Sequence, residues 1–195
     1  MDFKKPWFFY VILVYSEVMI LVQAKCMSPP PSSNFTLGGY YGLWFEAGKI
    51  QTPGGAFFEK DCVCTTIEVE PKSNKTTGDC TALNSCRKLK PQGKYINATG
   101  QLEDMNPPGK WKESFFFFLP KVDYTVIYLD KDFAVEYDCG ETLGITNYCI
   151  HVMARVPDPD LTKVQSLVNF AEQLGLNTDK LPYNQTHQAG CWGKR

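Results

Sequence analysis

Between Gly42 and Arg155 the chain runs through eight short segments that alternate apolar and polar residues or are apolar throughout, and none has helical periodicity. Apolar side chains at every second position line one face of a strand, and a strand cannot bury that face alone. The segments fall at about 42–50, 61–70, 78–89, 94–103, a fifth holding Trp111 and the phenylalanine run 115–118, then 124–129, 133–139 and 147–155. Turn-forming stretches separate them, including Pro71-Lys72-Ser73-Asn74, Pro91-Gln92-Gly93, Asn106-Pro107-Pro108-Gly109 and the tight Asp130-Lys131-Asp132. The spacing predicts an all-β antiparallel meander, and closure into an eight-stranded up-and-down barrel removes its exposed edges. A barrel of that size is just wide enough to hold one small ligand.

The periodicity changes once. Asp158-Pro159-Asp160 supplies an N-cap and a proline suited to the first helical turn. Leu161, Val164, Leu167, Val168, Ala171 and Leu174 then form an apolar stripe that ends at Gly175. One amphipathic helix after eight strands is expected to bury its stripe on the outside of the sheet. Ahead of the first strand, Gly38-Gly39 and Gly42 allow a bend into Leu43-Trp44-Phe45-Glu46-Ala47, where Trp44 and Glu46 face one way and Leu43, Phe45 and Ala47 the other. Residues 25–38, with Pro29-Pro30-Pro31, read as an extended lead-in.

Residues 1–24 read as a secretory signal peptide: Lys4-Lys5 precede an apolar run interrupted by Glu17, and the run closes at Val22-Gln23-Ala24. The uninterrupted part is short for a membrane anchor. Residues 25–195 then form a single domain. The net charge of −1 argues against nucleic acid as a partner. All eight cysteines follow the leader, and an even count in an exported chain predicts disulfides whose pairing sequence alone does not resolve. No paired Cys-x-x-Cys spacing suggests a metal site, Cys62-x-Cys64 being the nearest approach. Asn34, Asn74, Asn97 and Asn184 open glycosylation sequons, each expected on the surface.

Gly42-Leu43-Trp44 before the first strand, Asp130 between the sixth and seventh, and Arg155 ending the eighth resemble, in order and spacing, the three signature blocks of the lipocalins. Tyr137-Asp138-Cys139, the run Met153-Ala154-Arg155-Val156-Pro157 and Asn177-Thr178-Asp179-Lys180 are most similar to the apolipoprotein D, insect bilin-binding and bacterial outer-membrane branches. The second block departs from the animal form, reading Leu129-Asp130-Lys131-Asp132-Phe133. The resemblance implies that Arg155 lies across Trp44 and closes the barrel floor together with Gly42, so these residues are structural. It also implies Cys26–Cys139 and Cys62–Cys191 bridges. A hairpin centred near Asn74-Lys75 then sets Cys64 opposite Cys86.

Period two puts His151 and Met153 on the face of Arg155, and the resemblance points His151 into the pocket, either as a polar anchor or as a wall residue. Tyr124, Val126 and Tyr128 are candidate wall residues by the same parity. Phe57 and Phe58 lie between turn residues and either pack on a neighbouring loop or cover the cavity mouth. The expected function is an extracellular carrier of one small hydrophobic ligand (bilin, carotenoid, retinoid, sterol or fatty acid), with no required cofactor beyond a possible bound chromophore. Homo-oligomers or a cell-surface receptor are compatible partners. A lipid-modifying enzyme would need a free Cys64 or Cys149, and no catalytic motif stands out, with His151 and His187 the sole histidines. A rim-loop defence module is the third class.

Overall fold

The computed structural model describes residues 25–72, 78–116 and 119–192. Eight strands follow one another: β1 (Gly42–Gln51), β2 (Cys62–Pro71), β3 (Cys80–Lys88), β4 (Tyr95–Met105), β5 (Lys110–Ser114), β6 (Val122–Leu129), β7 (Phe133–Thr142) and β8 (Ile145–Ala154). Each pairs antiparallel with the next, β8 returns to β1, and β1 also pairs with β2, so the barrel is closed. A two-residue strand, β9 (Asn184–Gln185), adds to β1 through Gly48 and Lys49. The meander expected from the alternation is therefore the fold observed.

Two clusters divide the apolar side chains by strand parity. On the outside, Ile127, Phe133, Val135, Tyr137, Ile150, Val152 and Ala154 face Val164, Leu167, Val168 and Ala171 of α2 (Leu161–Gln173). Burying each large aliphatic side chain of that stripe is worth roughly 1.5–3 kcal/mol, which holds the helix against the barrel. Asp160 caps α2 by accepting from the Thr162 N–H at 2.8 Å, and Gly175 beyond its end has φ of +74°. Leu161, expected in the stripe, occupies the first turn and is 58% exposed.

Inside, Tyr40, Trp44, Leu102, Trp111, Val126, Leu129 and Met153 plug one end. Residues 37–40 are a short helical turn, α1 (Leu37–Tyr40), rather than extended lead-in, because the Thr36 side chain accepts from Gly39 N–H. The turn lays Tyr40 across the barrel end, stacked 5.7 Å from Trp111. Arg155 lies over the Trp44 ring, 3.4 Å from its centroid, and donates to the carbonyls of Leu43, Gly39 and Tyr41 at 2.8, 2.8 and 2.9 Å. The Trp44 indole donates to Tyr40 O at 2.7 Å. The guanidinium thus ties α1 and the start of β1 to the end of β8. Replacing Arg155 by alanine is expected to lower stability by about 2 kcal/mol, from the lost cation–π contact and charged hydrogen bonds at a partly exposed site. Binding of N-phenyl-1-naphthylamine should be unchanged, and the floor assignment fails if that binding vanishes while the melting temperature holds.

Three disulfides are present: Cys26–Cys139, Cys62–Cys86 and Cys64–Cys191. The last two replace the Cys62–Cys191 and Cys64–Cys86 pairs expected from sequence. The cause is a bulge in β2. The β2–β3 register slips between Val63 and Thr66, and Cys64 takes a left-handed conformation with φ of +58°. That turns Cys64 toward the C-terminal tail, where its N–H donates to His187 O at 2.8 Å, and leaves Cys62 beside Cys86. Cys80 and Cys149 are free and buried. Asn34, Asn97 and Asn184 are exposed, while Asn74 and residues 1–24, expected to be a signal peptide, lie outside the described residues. No helix among the described residues is long and apolar enough to cross a membrane.

Candidate functional site

Above the floor, at the other end of the barrel, is a cavity of about 230 Å³. Its mouth is made by the β1–β2 loop, where residues 57–59 form a 3-10 turn, and by the segment after β5. Phe58 packs on Phe115 with ring centroids 5.0 Å apart, and Leu119, Pro120 and Val122 continue the apolar collar. Strand β5 ends at Ser114, so Phe115 belongs to this rim and Phe116 is exposed, instead of both lying in a strand covered on both faces; residues 117–118 lie outside the described residues. Phe57 is 59% exposed at the outer edge.

The deeper wall is polar. Inward parity on β7 presents Glu136 and Asp138, β5 presents Glu113, β3 presents Asn84, β6 presents Tyr124 and β8 presents His151. Glu59 enters from the 3-10 turn. His151 is held from both sides: Nδ1 meets Glu46 Oε2 at 2.7 Å and Nε2 meets Asp138 Oδ2 at 3.4 Å. Burial works against a charged ring, but Cys149, Asp138 and Glu46 around it hold the imidazole well above its usual range. Lys49, directly across the ladder from His151, reaches Glu46 at 3.4 Å and also pairs with Glu59. One ammonium serves two buried acids unequally. Burial tends to raise the Glu46 carboxyl, yet Lys49 and His151 bring it down to about 2, whereas burial leaves Glu59 raised despite Lys49.

Glu136 sits where plug and cavity meet. Tyr40 OH donates to its Oε1 at 2.7 Å and lies 2.5 Å from Tyr124 OH, while Oε2 is buried without a hydrogen-bond partner. Burial raises Glu136 to about 6, with His151 and the two tyrosines opposing. Glu113 is 4% exposed and makes no hydrogen bond or ion pair among the described residues. Burial, with Asp138 and Glu136 nearby, pushes its carboxyl well above the usual range. Its Oε1 lies over Gly100 of β4, where a Cβ would sit 2.3 Å away, so this glycine makes the room for the carboxyl.

Of the residues expected from sequence, Tyr124, His151, Phe57 and Phe58 surround the cavity. Val126 and Met153 point inward but are packed into the plug below it. Tyr128 is outside the barrel. A bulge between Val126 and Tyr128 reverses the parity, and Tyr128 packs against Phe170 and beneath Lys163 of α2. The carboxylates Glu59, Glu113, Glu136 and Asp138 were not anticipated. Three of them were legible as charges at inward positions of strands, which in a sealed barrel mark either an ion pair or a ligand contact.

Among the described residues, two trios have donor atoms all within 4.8 Å of one another, Asp138–Cys149–His151 and Glu46–Glu59–His151. Both need a histidine nitrogen that Glu46 or Asp138 already occupies. As a nucleophile Cys149 is poorly set up, since burial pushes its thiol up to about 12.

The family profile described as a lipocalin-like domain matches residues 35–186. Apolipoprotein D of Cavia porcellus is 30% identical over 174 residues, covering 86% of this chain and 84% of that protein. Apolipoprotein D of Macaca fascicularis is 32% identical over 125 residues; the match spans 62% of this chain and 60% of that relative's length. Among solved structures, insecticyanin from the tobacco hornworm Manduca sexta has a TM-score of 0.61 at 18% identity, covering 87% of this chain and 90% of that one. Lobster apocrustacyanin A1 has a TM-score of 0.58 at 14% identity, covering 78% and 79%. At these identities the two structures share the fold.

Proposed function

We propose a carrier function, starting from the premise that this chain belongs to the lipocalin family. It binds one small molecule with an apolar body in the barrel cavity and performs no chemistry on it. The observation that carries this reading is a barrel sealed at one end by the Trp44–Arg155 floor, above which about 230 Å³ is left unfilled by side chains. Phe58, Phe115, Leu119 and Val122 supply the apolar contact, and Tyr124, His151 and the acids supply orientation. An exported, extracellular site of action is supported by the leader-like residues 1–24, the three disulfides and the exposed sequon asparagines.

Size narrows the choice. At about 30 Å³ per water in the liquid, the cavity has room for on the order of eight water-sized groups. A bilin or carotenoid would extend into the mouth, and a visible absorption band of the purified protein would reveal one. The enzyme reading is disfavoured by the protonated, buried state of the Cys149 thiol.

The test is gentle purification of the secreted protein followed by native mass spectrometry. The expected result is a single co-purifying small molecule, released on unfolding. A protein that carries nothing and fails to bind N-phenyl-1-naphthylamine while folded would end the carrier reading.

A further inference from the structure

We infer that the ligand is a small amphiphilic cation, an aromatic or alkyl amine whose ammonium group is received by Glu113, Glu136 and Asp138 while its apolar body lies against the Phe58–Phe115 pair. The inference rests on the carrier function proposed above and adds the ligand's charge.

The argument is one of counting donors against acceptors in a closed space. Glu59, Glu113, Glu136 and Asp138 line the cavity, and Glu46 lies behind His151. The cations among these residues are Lys49 and His151, and both are committed: Lys49 to Glu46 and Glu59, His151 to Glu46 and Asp138. Glu113 and Glu136 are left without a cationic partner. Buried carboxylates without one are expensive and stay protonated or find a counter-ion.

An independent observation points to a missing partner. Glu136 is 0% exposed and lines the cavity, yet its Oε2 has no hydrogen-bond donor, although Oε1 is supplied by Tyr40. A neutral apolar guest would leave this oxygen, and the unbonded Glu113 carboxyl, as they are. An ammonium offers three donors and a positive charge to the same group of acids. Burial raises both the Glu113 and the Glu136 carboxyl, and a cation beside them would relieve that cost. The distribution of character in the cavity also fits an amine of modest size: an aromatic collar at the mouth suits the apolar body and the face-on approach of a cation, and the polar end lies deep.

The test compares three near-isosteric probes by isothermal titration calorimetry on the full secreted, disulfide-intact protein at pH 7.5: 2-phenylethylamine, 2-phenylethanol and phenylacetate. Binding of neutral N-phenyl-1-naphthylamine is measured in parallel by fluorescence. The expected order is amine first, by tenfold or more over the alcohol, with phenylacetate weakest. In Glu113→Gln and Glu136→Gln the amine should weaken by at least tenfold more than the alcohol or the fluorescent probe does. Equal or stronger binding of the alcohol or the acid overturns the inference. So does failure of the amine to bind while the neutral fluorescent probe binds, an outcome that leaves the carrier reading standing. Failure of every probe overturns both. The wild-type comparison does not depend on the variants folding.

Discussion

Removing the Cys64–Cys191 bridge as the double variant Cys64→Ser/Cys191→Ser lowers stability by about 4–5 kcal/mol, more than removing Cys62–Cys86. The two bridges close loops of very different length, with sequence separations of 127 and 24 residues. In the chain-entropy view the longer constraint takes more freedom from the unfolded chain, by about 1.5 kcal/mol over the shorter. The longer bridge also has a local role. It anchors the tail that brings Gln188 onto the carbonyls of Glu46 and Thr65, at 2.9 and 2.8 Å, and Thr186 onto the Glu46 carboxylate. Without it those contacts must hold the tail unaided. Thermal unfolding by circular dichroism should show a fall in melting temperature on the order of 10 °C, at a few degrees per kcal/mol for a domain of this size. Thiol titration of the unfolded variant checks the pairing itself. Cys80 and Cys149 alone should react, whereas the pairing expected from sequence would leave Cys62 and Cys86 reactive as well.

Truncating Glu46 to alanine is the second large effect, expected at about 3–5 kcal/mol because it strips a buried charge network of its central acid. Glu46 is fully buried and is contacted by His151, Lys49 and Thr186. After truncation Lys49 keeps Glu59 and His151 keeps Asp138, so two buried cations remain half-compensated. The pH dependence identifies the mechanism. Burial favours the protonated acid, but Lys49 and His151 overcome it and take Glu46 from 4.5 to about 2. A carboxyl depressed on folding contributes stability that is present above its unfolded value and is lost as pH falls through the folded one. A shift of that size corresponds to about 3 kcal/mol. Wild-type stability should therefore decline as pH drops from about 4.5 toward 2, and Glu46→Gln, which keeps the volume, should flatten that part of the curve. His151 has the opposite sign. Its raised value gives stability that is complete below 6.5 and is lost as pH rises through the folded value. If Glu46→Gln shows the same acid slope as wild type, Glu46 is not the group responsible.

The barrel was legible because each of its signs is local. Trp44 facing away from Phe45, the alternation of Ile150, Val152 and Ala154 against His151 and Met153, and the change to helical period at Leu161 all follow from backbone repeat alone. Parity also put Tyr124 and His151 correctly at the cavity. It failed at Tyr128 and at Cys64, and both failures lie at bulges, where one strand gains a residue against its partner. A bulge is a property of two strands together, so neither chain segment announces it.

The acid-lined interior lies beyond sequence for a related reason. Glu113, Glu136 and Asp138 each occupy an inward position that parity could have flagged, but their meaning comes from convergence. Glu113 stands on β5, and Glu136 and Asp138 stand on β7. Only barrel closure brings them around one cavity whose cations, Lys49 and His151, are already engaged. The residues by themselves determined a closed antiparallel barrel with an outer helix, since periodicity and turn chemistry act within a few residues, while the floor role of Gly42 and Trp44 came from the family resemblance. Tertiary structure alone decided which cysteines meet, which side of the sheet Tyr128 takes and that the cavity is acidic, since those depend on strand register and on charges distant in the chain held together out of water.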